Sequence, residues 1–199
     1  QDLGLIKWVY LGGKWSYRDI YRNFPIELGS INGLKVMKSS VFLATDNGLF
    51  TAYILSNLKD PNNWSIAFND VNGLINTLCE VDDGIAFNQG NSIYKIFHNG
   101  TNFQYEQMGI QTPVDFIKMI FDENGYLWGI NGSYVYSQKT NFAPIPLRKS
   151  LNNIISDNEG NLIIGSKLGF VIIDKDNFET TSYVPNAPAT AKFSSIKVL

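Results

Sequence analysis

The side chains best suited to nucleophilic chemistry are the only cysteine and the only histidine of the chain, Cys79 and His98. A Cys–His pair needs a third group that orients the imidazole, and no spacing marks one. His98 opens the polar stretch 98–101, which predicts a surface turn, whereas Cys79 lies in an apolar segment that predicts a buried strand. The sequence therefore favours a core thiol and a surface imidazole over a catalytic pair. One cysteine also excludes an intramolecular disulfide.

Acidic residues gather in three short segments that end in glycine, at 82–84, 122–125 and 157–160. A calcium ion needs six or more oxygen ligands, and none of the three segments has the glutamate that closes an EF-hand loop. β-Hairpin turns instead need a residue at positive φ, which glycine adopts without a steric clash. The segments therefore predict hairpin turns, and we expect no metal and no other cofactor.

Aromatic residues cluster near the start of the chain, at Trp8, Tyr10, Trp15, Tyr17 and Tyr21. Aromatic rings stack well on the apolar faces of sugars, so the cluster could form a carbohydrate platform. The same residues would equally serve to pack one sheet against another. The sequence favours the packing role and leaves the platform as the alternative.

Composition narrows the class of protein. The 199 residues are 44% hydrophobic and only 17% charged, so disorder is not expected. The formal net charge is −2 and no basic stripe stands out, which argues against a nucleic-acid partner. No apolar run approaches the roughly 18 residues of a membrane helix, so we expect no membrane-spanning segment. The chain is long enough for one domain of ordinary size or for two small ones.

The chain repeats itself at intervals typical of propeller blades. The turn glycines Gly84, Gly125 and Gly160 lie 41 and 35 residues apart. Aromatic residues that close the repeats are spaced by 49, 39, 39 and 36 residues, at Trp15, Trp64, Phe103, Phe142 and Phe178. A period of about 35–50 residues with several short strands per unit indicates an all-β fold, a β-propeller. No segment has convincing helical periodicity.

We predict a single propeller domain over residues 1–199, with four complete four-stranded blades at about 30–68, 72–107, 113–145 and 150–183. Residues 1–28 resemble the outer strands of a partial blade, and residues 193–199 resemble the first strand of another. We therefore expect an internal section of a larger propeller, with the remaining blades of the parent chain as partners. Exposed sheet edges pair with other chains, so we expect this chain alone to be poorly soluble or oligomeric.

The segment 157–169 resembles the two-component-regulator propeller repeat, which reads roughly Asp-x-x-Gly-x-Leu-Trp-x-Gly-Thr-x-x-Gly-Leu. The third blade supplies the first half of this pattern with Asp122, Gly125, Leu127 and Trp128. The first blade supplies the second half over residues 44–49. The last blade departs from the pattern, with isoleucine at position 163 and serine at position 166.

The resemblance implies an extracytoplasmic propeller, in the periplasm or at the cell surface, most often from Bacteroidota. One such group comprises type IX secretion surface proteins similar to PorZ, and the segment 57–65 looks more like this group. The resemblance therefore implies a non-catalytic component of the secretion or surface-attachment machinery, with other envelope or secretion-system proteins or an oligosaccharide as partner. One alternative is a glycan-sensing propeller of a hybrid two-component regulator. A propeller-fold lyase or glycosidase is the other.

Polar residues follow the second strand of each predicted blade, where propeller links converge on one face. They are Asp46, Asn47, Asn88, Gln89, Asn131 and Lys167. Closure of the propeller would gather these side chains around one channel mouth, where amides and charges can hydrogen-bond a ligand. We predict that these six residues bind the ligand. The alternative is that polar residues simply terminate the strands there.

Overall fold

A computed structural model of the chain describes residues 4–147 and 149–184, except for the side chain of Ile26. Within these ranges the protein is all-β, and its helical segments are three single 3₁₀ turns. The described residues form two compact units, which divide between Asn76 and Thr77. The predicted strand at residues 193–199 lies outside the described residues.

The first unit contains a two-stranded hairpin and one complete blade. The hairpin consists of β1 (Leu5–Leu11) and β2 (Lys14–Tyr21). Blade 1 consists of β3 (Ile31–Met37), β4 (Ser40–Thr45), β5 (Gly48–Tyr53) and β6 (Ser65–Ile66). Two 3₁₀ turns, Ile26–Leu28 and Pro61–Asn63, lie before and within this blade.

The second unit contains three complete blades. Blade 2 consists of β7 (Leu78–Val81), β8 (Gly84–Gln89), β9 (Ser92–His98) and β10 (Phe103–Gln111). Blade 3 consists of β11 (Lys118–Phe121), β12 (Leu127–Asn131), β13 (Tyr134–Ser137) and β14 (Ile145–Pro146), with a 3₁₀ turn at Gln138–Thr140. Blade 4 consists of β15 (Leu151–Ser156), β16 (Leu162–Ser166), β17 (Gly169–Ile173) and β18 (Thr180–Tyr183).

Every blade is an antiparallel meander whose strands, here called a to d, pair in sequence order. The prediction of four complete four-stranded propeller blades is therefore confirmed, and the hairpin adds two further strands ahead of them. For strands a to c this order follows from the short links, because two- to five-residue connections place consecutive strands side by side.

The two faces of blade 3 pack against different neighbours, because side chains alternate along a strand. In β12, Leu127 joins a core cluster shared with blade 2, whereas Trp128 and Ile130 join a cluster shared with blade 4. In β13, Tyr136 and Val135 divide in the same way. Blade 3 thus has a preceding face, toward blade 2, and a following face, toward blade 4.

The turn glycines lie at the a–b hairpins, as predicted, but not all for the predicted reason. Gly125 and Gly160 adopt positive φ, at 76° and 84°. In blade 2 the positive φ of 56° belongs to Asp83 instead, so the prediction for Gly84 is wrong in this respect. Gly84 is required by space, since a Cβ there would overlap the carbonyl oxygen of Ile96.

Candidate functional site

The six predicted site residues do not all lie in b–c links. Asp46 and Asn47 form the link between β4 and β5, and Lys167 begins the link between β16 and β17. Asn88 and Gln89 instead end β8, where they pair with residues of β9, and Asn131 ends β12. The reason is that the b–c turns in blades 2 and 3 lie just after these residues, at 90–91 and 132–133, where a glycine takes positive φ.

The strand register identifies which of these positions are equivalent. Thr45, Gln89, Asn131 and Ser166 each end strand b and pair with the first residue of strand c. In blades 1 and 4 this residue carries a hydroxyl that donates to the carbonyl oxygen of that partner, over 2.8 Å and 3.1 Å. In blades 2 and 3 it is an amide. The end of strand b is therefore polar in all four blades.

In blade 1 the two link residues hold the segment that leads into strand a. The Asp46 carboxylate accepts hydrogen bonds from the Ser30 backbone N–H and from Asn32 Nδ2, each over 3.0 Å. The hydrogen bond from Asn32, followed by those from Ser30, lowers the pKa of Asp46. The Asn47 amide donates to the carbonyl oxygen of Glu27 over 2.6 Å.

Two asparagines likewise hold the segment that leads into strand a of blade 3. Asn88 Nδ2 donates to the carbonyl oxygen of Phe116 over 3.1 Å and to the carboxylate of Asp115. Asn131 Nδ2 donates to the backbone carbonyl of Asp115 over 2.5 Å. The segment that enters β11 is thus held from two neighbouring blades. Asn88 is only 1% exposed, and its Oδ1 has no hydrogen-bond partner among the described residues.

Four of the six side chains, at positions 46, 47, 88 and 131, are therefore engaged in holding loops. Lys167 is exposed and Gln89 is half-buried. Whether the six residues bind a ligand remains a prediction. Lys167 and Gln89 are the members whose positions best suit contact with one.

Cys79 and His98 occupy the places that the sequence suggested. Cys79 is buried in β7, and β8 separates that strand from β9, which ends at His98. Cys79 pairs with Ala86 of β8, and Ala86 pairs with Lys95 of β9, which lies three residues before His98. His98 Nδ1 accepts a hydrogen bond from the Gly100 N–H over 3.0 Å, which ties the imidazole to its own turn.

A cleft of about 730 Å³ lies between the a–b turns of blades 2 and 3. Its apolar side chains come from Val81, Met108, Ile110 and Phe121, and its polar ones from Glu80, Asp82, Lys95, Asp122, Glu123, Asn124 and Gln138. The a–b turns and the b–c links lie at opposite ends of strand b, so the cleft is remote from Asn88, Gln89 and Asn131 in the same two blades. This cleft could not be predicted from the sequence, because its walls come from separate blades.

Asp122 organises the turn beside this cleft. One carboxylate oxygen accepts from the backbone N–H groups of Asn124 and Tyr126, each over 3.0 Å. The other accepts from Trp128 Nε1 over 3.0 Å and pairs with Lys139 Nζ at 3.2 Å. Burial alone would raise the pKa of Asp122, but these hydrogen bonds outweigh it and the pKa is lowered.

Shifted carboxylates elsewhere in the described residues move in the same direction. A hydrogen bond from Lys59 lowers the pKa of Asp19, and backbone N–H groups of Asn177 and Asp176 lower that of Asp174. A general acid needs the opposite shift, because it must keep its proton near neutral pH. Within the same residues no group of three or more His, Cys, Asp or Glu side chains could hold a metal ion.

Two comparisons with known proteins found no match. No family model matches the chain, and no curated protein matches it significantly. In the described part of the chain no helix has the length and apolar character needed to cross a membrane.

Several solved structures share the fold. The extracellular domain of the hybrid two-component system protein BT4673 from B. thetaiotaomicron is 15% identical with a TM-score of 0.61, over 94% of this chain and 26% of that one. The corresponding domain of BT3049 is 14% identical with a TM-score of 0.59, over 92% and 28%. Virginiamycin B lyase from Staphylococcus aureus is 11% identical with a TM-score of 0.60, over 91% and 63%.

These identities support a shared β-propeller fold and nothing finer. The chain spans about a quarter of the length of the two-component extracellular domains that it matches.

Proposed function

We propose that this chain is a non-catalytic recognition section of an extracytoplasmic propeller, of the kind found in the sensor domains of hybrid two-component systems. The observation that carries the proposal is the likeness to two such extracellular domains over 92–94% of the chain. The proposed ligand is an oligosaccharide, bound at the end of the blades where the b–c links lie.

This proposal replaces type IX secretion as the favoured setting. The segment 57–65, which suggested that setting, has a structural role in closing blade 1. Asp60 caps the 3₁₀ turn by accepting from the Asn62 N–H, and the buried Trp64 donates from Nε1 to the carbonyl oxygen of Leu58 over 3.1 Å. Its sequence is therefore explained by packing, and no comparison supports a secretion partner.

The lyase likeness supports the competing class, a catalytic propeller. That class needs an acid or base poised near neutral pH at a common site. The single histidine is bound to its own turn, and the shifted carboxylates are held in their charged form. These properties favour binding over catalysis.

The test is titration of the full chain with envelope oligosaccharides by calorimetry. The variant carrying Gln89→Ala and Lys167→Ala should weaken binding about tenfold, the loss of one or two net hydrogen bonds. The control Asp82→Ala changes an exposed residue of the cleft at the opposite end of the blade. It should leave the affinity unchanged.

Three outcomes would contradict the proposal. If the folded double variant binds normally, the b–c links are not the site. If Asp82→Ala weakens binding instead, the cleft between blades 2 and 3 is the site. Cleavage of the oligosaccharide during the titration, detected by mass spectrometry, would favour the catalytic class.

A further inference from the structure

Lys95 projects from blade 2 toward blade 3. It pairs directly with Ala86, whose side chain belongs to the core cluster shared by these two blades, so both side chains lie on the face of blade 2 that packs against blade 3. A Cβ at Gly84 would lie 2.9 Å from Lys95 Cε, so the absence of a side chain at position 84 makes room for the lysine stem. The stem therefore extends toward the a–b turn, and Lys95 lines the cleft between blades 2 and 3.

The Lys95 ammonium has no partner among the described residues. The residue is half-buried, yet no described side chain or backbone group accepts a hydrogen bond from it or pairs with its charge. Glu106 stands opposite Lys95 in strand d, but it is exposed and forms no ion pair with the lysine. A partly desolvated charge without a partner is costly, so this ammonium is suited to receive an anion.

The repeated blade pattern does not require a charge at this position. Lys95 is the fourth residue of strand c, and the other three described blades have uncharged residues at the fourth position of that strand. These residues are Thr51, Ser137 and Ile172. The packing that is common to the blades therefore does not explain the lysine.

Strand d of blade 2 is irregular beside the same cleft. The register of β10 against β9 shifts so that three residues, 108–110, stand where β9 has only Ile93. β-Bulges of this kind re-aim side chains and are frequent next to functional sites. Met108 and Ile110 of the bulge both line the cleft.

Four apolar side chains form what we call the floor of the cleft. They pack against the core shared by blades 2 and 3 and remain half-buried, at Val81, Met108, Ile110 and Phe121. The cleft volume of about 730 Å³ lies within the range of small-molecule sites, roughly 300–1,000 Å³. Both walls belong to complete blades of the second unit.

The acidic residues around the cleft are already paired or solvated. Asp122 and Glu123 each form an ion pair with a lysine outside the cleft. Glu80 and Asp82 are exposed, so water and salt screen their charge. The half-buried ammonium of Lys95 is therefore the charge in the cleft that gains most from a ligand of opposite charge.

We propose that this cleft binds a small apolar carboxylate, such as a medium-chain fatty acid. The carboxylate pairs with the Lys95 ammonium, and the apolar body of the ligand lies on the floor. This site is separate from the b–c end of the blades, where an oligosaccharide is proposed, so the failure of one proposal leaves the other standing.

The test is calorimetric titration of the full chain with octanoate, and with 1-octanol and octylammonium as probes of the same length. Octanoate should bind more tightly than the other two. Lys95→Gln keeps most of the apolar stem and should weaken octanoate binding about tenfold, the loss of one charge-assisted hydrogen bond, while binding of 1-octanol stays unchanged. Lys95→Arg should retain octanoate binding. The matched control Lys14→Gln removes the same charge from an exposed lysine of the first unit and should leave the octanoate affinity unchanged.

Circular dichroism checks that each variant is folded, and amide chemical shifts locate the bound probe. Octanoate should move the resonances of residues 80–82, 108–110 and 121–125, whereas changes confined to the b–c links would overturn the proposal. A wild-type chain that does not bind octanoate overturns it too, as does a folded Lys95→Gln variant that binds octanoate as tightly as the wild type. Tighter binding of octylammonium than of octanoate would show that the acidic residues dominate, which also overturns it.

Discussion

Substitution of Asp122 by asparagine tests how far one buried carboxylate stabilises the third blade. The carboxylate joins the a–b turn, through two backbone N–H groups, to Trp128 and Lys139. Asparagine keeps one oxygen for the backbone groups. Its NH₂ group then faces the Trp128 Nε1–H and the Lys139 ammonium, neither of which can accept a hydrogen bond.

The expected loss is about 3 kcal/mol of unfolding free energy. A hydrogen bond to a charged group contributes roughly 1.5–3 kcal/mol, and a buried unpaired donor costs about 1–3 kcal/mol. Solvent screens the ion pair little, because the side chains of Lys139 and Asp122 are only 18% and 2% exposed. Trp128 is itself completely buried, so its Nε1–H has no route to water.

Blade 4 offers a matched control in Asp157→Asn. Asp157 accepts from the backbone N–H groups of Glu159 and Asn161 over 2.9 Å and 2.8 Å, as Asp122 does in its own turn. Isoleucine stands at position 163, where blade 3 has its tryptophan. The control should therefore lose less than about 1 kcal/mol. Urea unfolding followed by circular dichroism measures both, and equal losses in the two variants would refute the reasoning.

Three further predictions concern the pH dependence of Asp122→Asn, the glycine beside Phe116, and the buried amide of Asn88. Because the pKa of Asp122 in the folded protein lies below its ordinary value of 3.8, the carboxylate stabilises the fold above pH 3.8, and this contribution is lost as the pH falls through the folded pKa. The loss of unfolding free energy caused by Asp122→Asn, measured by urea unfolding, should therefore shrink below pH 3.8. Gly129→Ala should lower the melting temperature far more than Gly132→Ala. A Cβ at position 129 would overlap the Phe116 ring, whereas a Cβ at position 132, where φ is 60°, would meet open space. Asn88→Ala should cost about 1–2 kcal/mol in urea unfolding, since two acceptors at the entry to β11 lose their donor, and an unchanged value would exclude the holding role.

The architecture could be predicted because each blade repeats local signals. Gly125 and Gly160 mark a–b turns that only a residue at positive φ can make, and apolar residues bound each strand. The position of positive φ in blade 2 could not be predicted. The sequence Asp-Asp-Gly fits a hairpin with either the second aspartate or the glycine at positive φ, and in the structure it is Asp83.

The candidate site was harder to predict because polar side chains at strand ends have two possible uses. Asn88 and Asn131 looked like link residues, but strand pairing continues through both. Whether such an amide faces solvent or a neighbouring backbone depends on the loop that enters the next strand a. That loop comes from a distant part of the sequence, so spacing along the chain carries no information about the contact.

The two ends of the blades therefore differ in what they leave for a ligand. At the b–c end, the amides of Asn47, Asn88 and Asn131 hold loops in place, which fixes the backbone of that end at the expense of free donors. If this end binds the ligand, as proposed, recognition would depend on residues that depart from the repeated pattern. Lys167 is such a residue, because blade 4 has an exposed ammonium where blade 2 has Gly90 and blade 3 has Gly132. Specificity would thus reside in the positions that the repeat leaves variable, while the repeated polar positions provide a rigid frame.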